Sequence, residues 1–195
     1  MDLKFGINES YTLDMMLIPD FGQVQSDDVV LNLTPFEVFY DEKRQFFIEG
    51  NELFNRANIF YSRRIGDTPT KFYDVEDQLA ENEIVKKNPQ QSQLINTTKI
   101  SGRNSKGLGI GFLNAKIKDT LSSNERKFLT EPFTNYNVIV FDQSLKNNSY
   151  ASVINTNYSR FEDKYYANVT GTEFLLNNKN SSYSFFAKGA VSQIF

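Results

Sequence analysis

Residues 2–17 read Asp2-Leu3-Lys4-Phe5-Gly6-Ile7-Asn8-Glu9-Ser10-Tyr11-Thr12-Leu13-Asp14-Met15-Met16-Leu17. Leu3, Phe5 and Ile7 alternate with Asp2, Lys4 and Gly6, and Tyr11, Leu13, Met15 and Leu17 alternate with Thr12 and Asp14. A repeat of two places every second side chain on the same side of an extended chain, so each run is a strand with one apolar face. Asn8-Glu9-Ser10 between them is a turn signal. The stretch is therefore a β-hairpin. Pro19 closes its second strand, because proline has no N–H to give to a ladder.

The same rhythm fills the second half of the chain. Gln93 to Gly102 and Gly107 to Lys118 flank Arg103-Asn104-Ser105-Lys106, with Leu108, Ile110 and Phe112 on one face and Gly107, Gly109 and Gly111 on the other. Asn137 to Leu145 and Ser149 to Tyr158 flank Lys146-Asn147-Asn148, and Tyr165 to Leu176 and Ser181 to Val191 flank Asn177-Asn178-Lys179-Asn180. This predicts about eight strands, most near ten residues, joined as neighbours into an all-β antiparallel hairpin meander. Soluble strands average about five to six residues, whereas strands near ten suit a tilted crossing of a bilayer. The faces opposite the apolar ones are small or polar, with Gly109, Gly111, Ser152, Asn155, Thr170, Thr172 and Ser184. Periodicity alone divides evenly between a membrane barrel and a soluble sandwich or open sheet.

Composition removes several function classes. The 195 residues hold 18 Phe and 10 Tyr but no Trp, no Cys and no His. Without Cys there is no disulfide and no thiolate ligand or nucleophile. Without His there is no Ser-His-Asp triad and no imidazole metal ligand. A net charge of −3 and a pI near 5.1 give no footprint for nucleic acid. No apolar run is long enough for a transmembrane helix, and Met1 to Gly6 is not a signal peptide. The final run, Gly189 to Phe195, is strand-like without a polar tail. Together these features are read as an internal piece of a longer exported chain.

Two segments break the hairpin pattern. Residues 20–66 form a charged insert, in which Thr34 and Pro35 resemble a helix start, so one short helix is expected near 35–47. Residues 67–92, with Pro69, Pro89 and Lys86-Lys87-Asn88-Pro89, are expected to form a long exposed loop.

Four blocks in the insert carry a resemblance. They are Ile18-Pro19-Asp20-Phe21-Gly22-Gln23-Val24-Gln25-Ser26-Asp27, then Leu31-Asn32-Leu33-Thr34-Pro35-Phe36-Glu37, then Asp41-Glu42-Lys43-Arg44-Gln45-Phe46-Phe47-Ile48-Glu49-Gly50, then Phe60-Tyr61-Ser62-Arg63-Arg64-Ile65-Gly66. Their order resembles an uncharacterised family of outer-membrane proteins of Gram-negative bacteria. Its members carry a module resembling a family-9 carbohydrate-binding domain, followed by a β-barrel domain of unknown function. The resemblance implies an incomplete barrel over residues 1–195, placed in the outer membrane with lipid as its partner. Glycans would be reached through the module that this chain lacks. Transport, envelope assembly and glycan handling all remain open as roles.

The carboxylates Asp14, Asp20, Asp27, Asp28, Glu37, Asp41, Glu42 and Glu49 are dense around these blocks. One reading is a structural charge network of Asp20, Asp27, Glu42, Lys43, Arg44, Glu49, Arg63 and Arg64, since charges held away from water need partners. A second is a calcium site on Asp20, Asp27 and Asp28, within a soluble β-rich module for calcium or glycan, although the spacing is not that of an EF-hand loop. A third is a glycosidase using a pair of carboxylates. Lys43-Arg44 and Arg63-Arg64 could also clamp a phosphate, but neighbouring acids compete for them. The charge network and a non-enzymatic barrel segment are the favoured expectations, with no catalytic residue assigned. Gly107, Gly109 and Gly111 lack the following helix of a nucleotide loop and mark a crowded strand face. The Asn-X-Ser/Thr triplets that begin at Asn32, Asn96, Asn147, Asn157, Asn168 and Asn180 read as polar turn and strand residues.

Overall fold

The structure is a computed structural model, and it describes residues 1–19, 21, 31–81, 83–118, 120–123 and 127–195. Eight strands form one antiparallel sheet in the order β1-β2-β3-β4-β7-β8-β9-β10. They are β1 (Asp2–Gly6), β2 (Tyr11–Leu17), β3 (Leu94–Arg103), β4 (Leu108–Ile117), β7 (Thr134–Leu145), β8 (Ser149–Arg160), β9 (Tyr165–Asn177) and β10 (Ser184–Ile194). A separate hairpin, β5 (Thr120–Ser123) with β6 (Lys127–Glu131), interrupts the path from β4 to β7. The sheet is open, with β1 and β10 at its two edges. The all-β meander read from the sequence is the fold found.

The short turns explain the registers. At the β7–β8 corner Asn147 and Asn148 both have positive φ, 58° and 54°, which is the geometry of a type I′ hairpin. Asparagine tolerates it because its short polar side chain stabilises the left-handed region. At the β1–β2 corner the Asn8 carboxamide accepts from the N–H groups of Ser10 and Tyr11, at 2.8 and 3.0 Å. At the β9–β10 corner Asn178 accepts from Ser182 and Tyr183, so the turn runs further than the sequence suggests and β10 begins at Ser184.

Alternation gives the sheet two unlike faces. Along β4, Gly109, Gly111, Leu113, Ala115 and Ile117 are buried, while Leu108, Ile110, Phe112, Asn114 and Lys116 are not. The registers carry this division across the sheet. Val138, Val140 and Asp142 of β7 share the covered face, whereas Ile139 and Phe141 lie on the open one. The core lies between the covered face and the segment that follows β2.

The expected helix over 35–47 is corrected. Only Gln45–Ile48 is α-helical, here α1. Thr34 cannot act as the cap, because its N–H and hydroxyl both donate to Asn32 Oδ1, at 3.0 and 2.7 Å. Farther on, Glu42 accepts from the N–H groups of Lys43 and Arg44, at 3.1 and 2.9 Å. Local side-chain bonds of this kind compete with helical ones. Within 67–92 a second short helix, α2 (Asp74–Asp77), buries Val75. Among the described residues no helix is long and apolar enough to cross a membrane.

Candidate functional site

After Gly50 the insert proceeds through three single 3₁₀ turns, Asn51–Leu53, Arg56–Asn58 and Ser62–Arg64. Phe46, Phe47, Leu53, Phe54, Ala57 and Ile65 are buried, and they form one cluster with Leu113, Val138, Val140 and Ile154 of the sheet. Burial of each large side chain contributes about 1.5–3 kcal/mol. The glycines of the covered face make the approach possible. A Cβ at Gly109 would stand 2.8 Å from Leu53 Cδ2, one at Gly111 would stand 3.1 Å from the Phe54 ring, and one at Gly171 would stand 3.1 Å from the Ala57 Cβ.

Three charged groups then tie the insert down. The first is built on Arg44, a buried side chain. Its Nε and Nη2 donate to the two oxygens of Glu42, at 2.8 and 2.7 Å, and Nη2 also donates to the Ser62 carbonyl at 2.7 Å. Its Nη1 donates to the Ile65 carbonyl. The guanidinium carbon lies 4.3 Å from the centre of the Phe47 ring, which adds a cation–π contact. Burial pushes the Glu42 carboxyl up, but hydrogen bonds from Arg44 and Ser62 outweigh it and hold the group below its ordinary value.

The second group is built on Lys99 of β3, also buried. Its ammonium donates to the backbone carbonyls of Phe46 and Glu49, at 2.5 and 2.6 Å, and lies 3.6 Å from Asp14. Lysine thus caps the carbonyls of α1. The Glu49 side chain accepts from Gln45 at 2.7 Å and from Lys4 at 2.6 Å, and these two bonds lower its pKa.

The third group crosses the sheet. Asp142 of β7 is fully buried. One of its oxygens takes a hydrogen bond from Arg103 at 2.5 Å, and the other lies 2.7 Å from Arg56 of the insert. The Arg56 contact is an ion pair without hydrogen-bond alignment. Glu173 of β9 accepts from the Ala57 N–H at 3.0 Å and from the Tyr150 hydroxyl at 2.6 Å. Arg56 also lies 4.1 Å over the Tyr150 ring.

The residues read from the sequence are distributed among these groups. Glu42 and Arg44 meet directly, and the Lys43 N–H joins them through Glu42. Glu49 belongs to the Lys4 and Lys99 corner. Arg64 pairs with Glu37 at 2.6 Å on the surface. Arg63 lies on a cleft of about 1040 Å³ lined also by Phe21, Tyr40, Arg44, Tyr61 and Asp67. Asp20, Asp27 and Asp28, with the calcium site placed on them, lie outside the described residues. Among the described residues no three acidic side chains converge on a point that could hold a metal ion.

Sequence reading missed Arg56, Lys99, Arg103, Asp142 and Glu173. A signal was available. Asp142 stands at the next covered position after Val138 and Val140, and Lys99 stands two residues after the fully buried Thr97. A charge on the buried side of a strand requires a partner. The carboxylates of Glu42, Asp142 and Glu173 each face a cation, a hydroxyl or a backbone N–H, and such an arrangement anchors a segment.

No curated protein and no solved structure matches the chain. One family model spans it from end to end. The chain belongs to the family described as "Domain of unknown function (DUF5916)", whose model matches residues 1–195.

Proposed function

We propose that this chain forms part of the wall of an outer-membrane β-barrel, with residues 31–66 folded against the inner face as a plug. The observation that carries the reading is the unlike character of the two faces. Ile139, Phe141, Val153 and Phe185 stand exposed on the open face, while Lys99, Asp142 and Arg44 are buried beneath or within the insert. The covered face already holds the apolar core beneath the insert; a water-soluble sheet packed on one side carries polar side chains on the other, whereas a barrel wall turns apolar side chains outward to lipid. Strands β7, β8, β9 and β10, of 12, 12, 13 and 11 residues, have the length of a tilted bilayer crossing. The edges β1 and β10 would pair with further strands, since an open sheet edge leaves its backbone groups unsatisfied in lipid.

An inner face occupied by a plug suits a gated conduit better than an open pore. On this reading the cleft beside Arg44 and Arg63 is what remains of the lumen, and glycan or other cargo would meet the insert before passing.

The test is refolding of the purified chain from denaturant, with and without detergent micelles or short-chain phosphatidylcholine vesicles. A β-type circular dichroism spectrum and protease resistance are expected only with detergent or lipid. A monomer that is folded and protease-resistant in plain buffer overturns the proposal.

A further inference from the structure

The open face of the sheet is divided into two zones. Nearest the short turns at 8–10, 104–107, 146–148 and 178–183, its rows are largely apolar. Ile110 faces Phe141, and Phe141 faces Val153; in the next row Ile100 faces Phe112, and Phe112 faces Ile139, but on β8 and β9 this row is already polar, since Ile139 faces Asn155 and Asn155 faces Thr170. One row farther from the turns polar side chains extend across most of the sheet. Thr98 faces Asn114, Asn114 faces Asn137, Asn137 faces Asn157, Asn157 faces Asn168, and Asn168 faces Gln193. A continuous row of amide and hydroxyl side chains therefore crosses six strands, from β3 to β10.

Hydrogen bonds run within the row and to the rows beside it. Asn114 Nδ2 donates to Asn137 Oδ1 in the row and to Asn135 Oδ1 in the row beyond, each at 2.8 Å, and Asn155 Nδ2, one row nearer the short turns, donates to Asn168 Oδ1 at 3.1 Å. Beyond it Lys116 faces Asn135, and Asn135 faces Ser159. The long connections, including the insert and the β5–β6 hairpin, leave the sheet at this polar end.

Resting on the outer-membrane reading above, we infer that this amide row marks the limit of contact with the hydrocarbon of the bilayer. Acyl chains cover the rows between it and the short turns on β3, β4 and β7, and on β8 and β9 the limit lies one row nearer the turns, at Asn155 and Thr170. The amide row itself meets the polar headgroup layer, and the rows beyond it stand in water. The physical reason is satisfaction of the amides. Each carboxamide has two donors and an acceptor oxygen, and bonding within the row uses only part of that capacity. The remainder needs water or headgroup oxygens, which hydrocarbon does not supply. From Leu108 to Phe112 the apolar zone measures about 14 Å along the strand, at about 3.4 Å per residue. That is less than the usual apolar band of about 25 Å.

The chain contains no cysteine, so single-cysteine variants can be labelled cleanly. Ile139→Cys and Val153→Cys sample the apolar zone, Asn137→Cys and Asn157→Cys the amide row, and Lys116→Cys the row beyond it. Each variant, carrying a bimane fluorophore, is refolded into phosphatidylcholine vesicles with and without acyl-chain bromination. Loss of fluorescence in brominated lipid is expected at 139 and 153, and none at 137, 157 or 116. Equal loss at all five positions, or loss confined to the amide row, overturns the boundary while leaving the membrane reading intact. No loss at any position overturns the membrane reading itself. Lys116→Cys, an exposed site, keeps the test decisive where an asparagine variant fails to refold.

Discussion

The guanidinium of Arg56 lies 2.7 Å from the carboxylate of Asp142, joining the insert to β7 through two residues more than eighty positions apart in the chain. Arg103 holds the other oxygen of the same carboxylate. One buried acid therefore contacts a strand residue and an insert residue together, and its removal acts on both.

Asp142→Asn is expected to destabilise the folded chain by about 3–5 kcal/mol, because it leaves two cations facing a neutral amide in a buried position. Urea unfolding of refolded protein measures the cost. Limited proteolysis should show cleavage within 45–66 before cleavage in the strands. A variant in which insert and strands are lost together, at unchanged midpoint, contradicts a latch at this position.

Gly111 and Gly189 make a matched pair for testing where the insert sits. A Cβ at Gly111 would lie 3.1 and 3.2 Å from the Phe54 ring, and one at Gly189 would meet nothing within 4 Å. Gly111→Val should cost about 1–3 kcal/mol through overfilling, and Gly189→Val should be neutral or slightly stabilising. Denaturation midpoints measured side by side decide this, and equal costs would place the insert elsewhere.

Arg44→Lys is expected to lose about 1–3 kcal/mol despite the retained charge. A lysine ammonium cannot grip both Glu42 oxygens while also reaching the Ser62 and Ile65 carbonyls, and it loses the planar stacking on Phe47. Thermal unfolding of the two proteins, followed by the same spectroscopic signal, provides the comparison.

Glu42 gives the acid limb of stability a definite sign. Its folded pKa lies below its ordinary value of 4.5, so the unfolded chain binds the proton more readily. The contribution is present in full above that value and is lost as pH falls through the folded pKa. Glu42→Gln should therefore be less stable than the parent at pH 7 and should show a shallower loss below about pH 4.5. A pH series of urea midpoints tests this, and parallel curves for the two proteins would contradict it.

The hairpin meander was open to sequence reading because it is a local property. Leu3, Phe5 and Ile7 alternate with polar neighbours, and Asn8 or Asn147-Asn148 can close a turn, whatever the remainder of the chain does. The same locality misled at Thr34 and Pro35. A helix start was legible there, but Asn32 takes the Thr34 hydroxyl first. The pairing of Glu42 with Arg44 was within reach, two residues apart in a dense run of charge.

By itself, then, the sequence determined the strands, their turns and their order as neighbours, along with the absence of thiol and imidazole chemistry. Tertiary structure alone decided which face of the sheet the insert covers, that Gly111 leaves room for Phe54, and that Asp142 meets Arg56 although the two lie far apart in the chain. It also decided that Asn114, Asn137, Asn157 and Asn168 stand in one row. The reason is physical. Alternation is a property of each strand alone, whereas register and the seating of the insert depend on turn geometry, core volume and charge pairing that close only when distant segments meet.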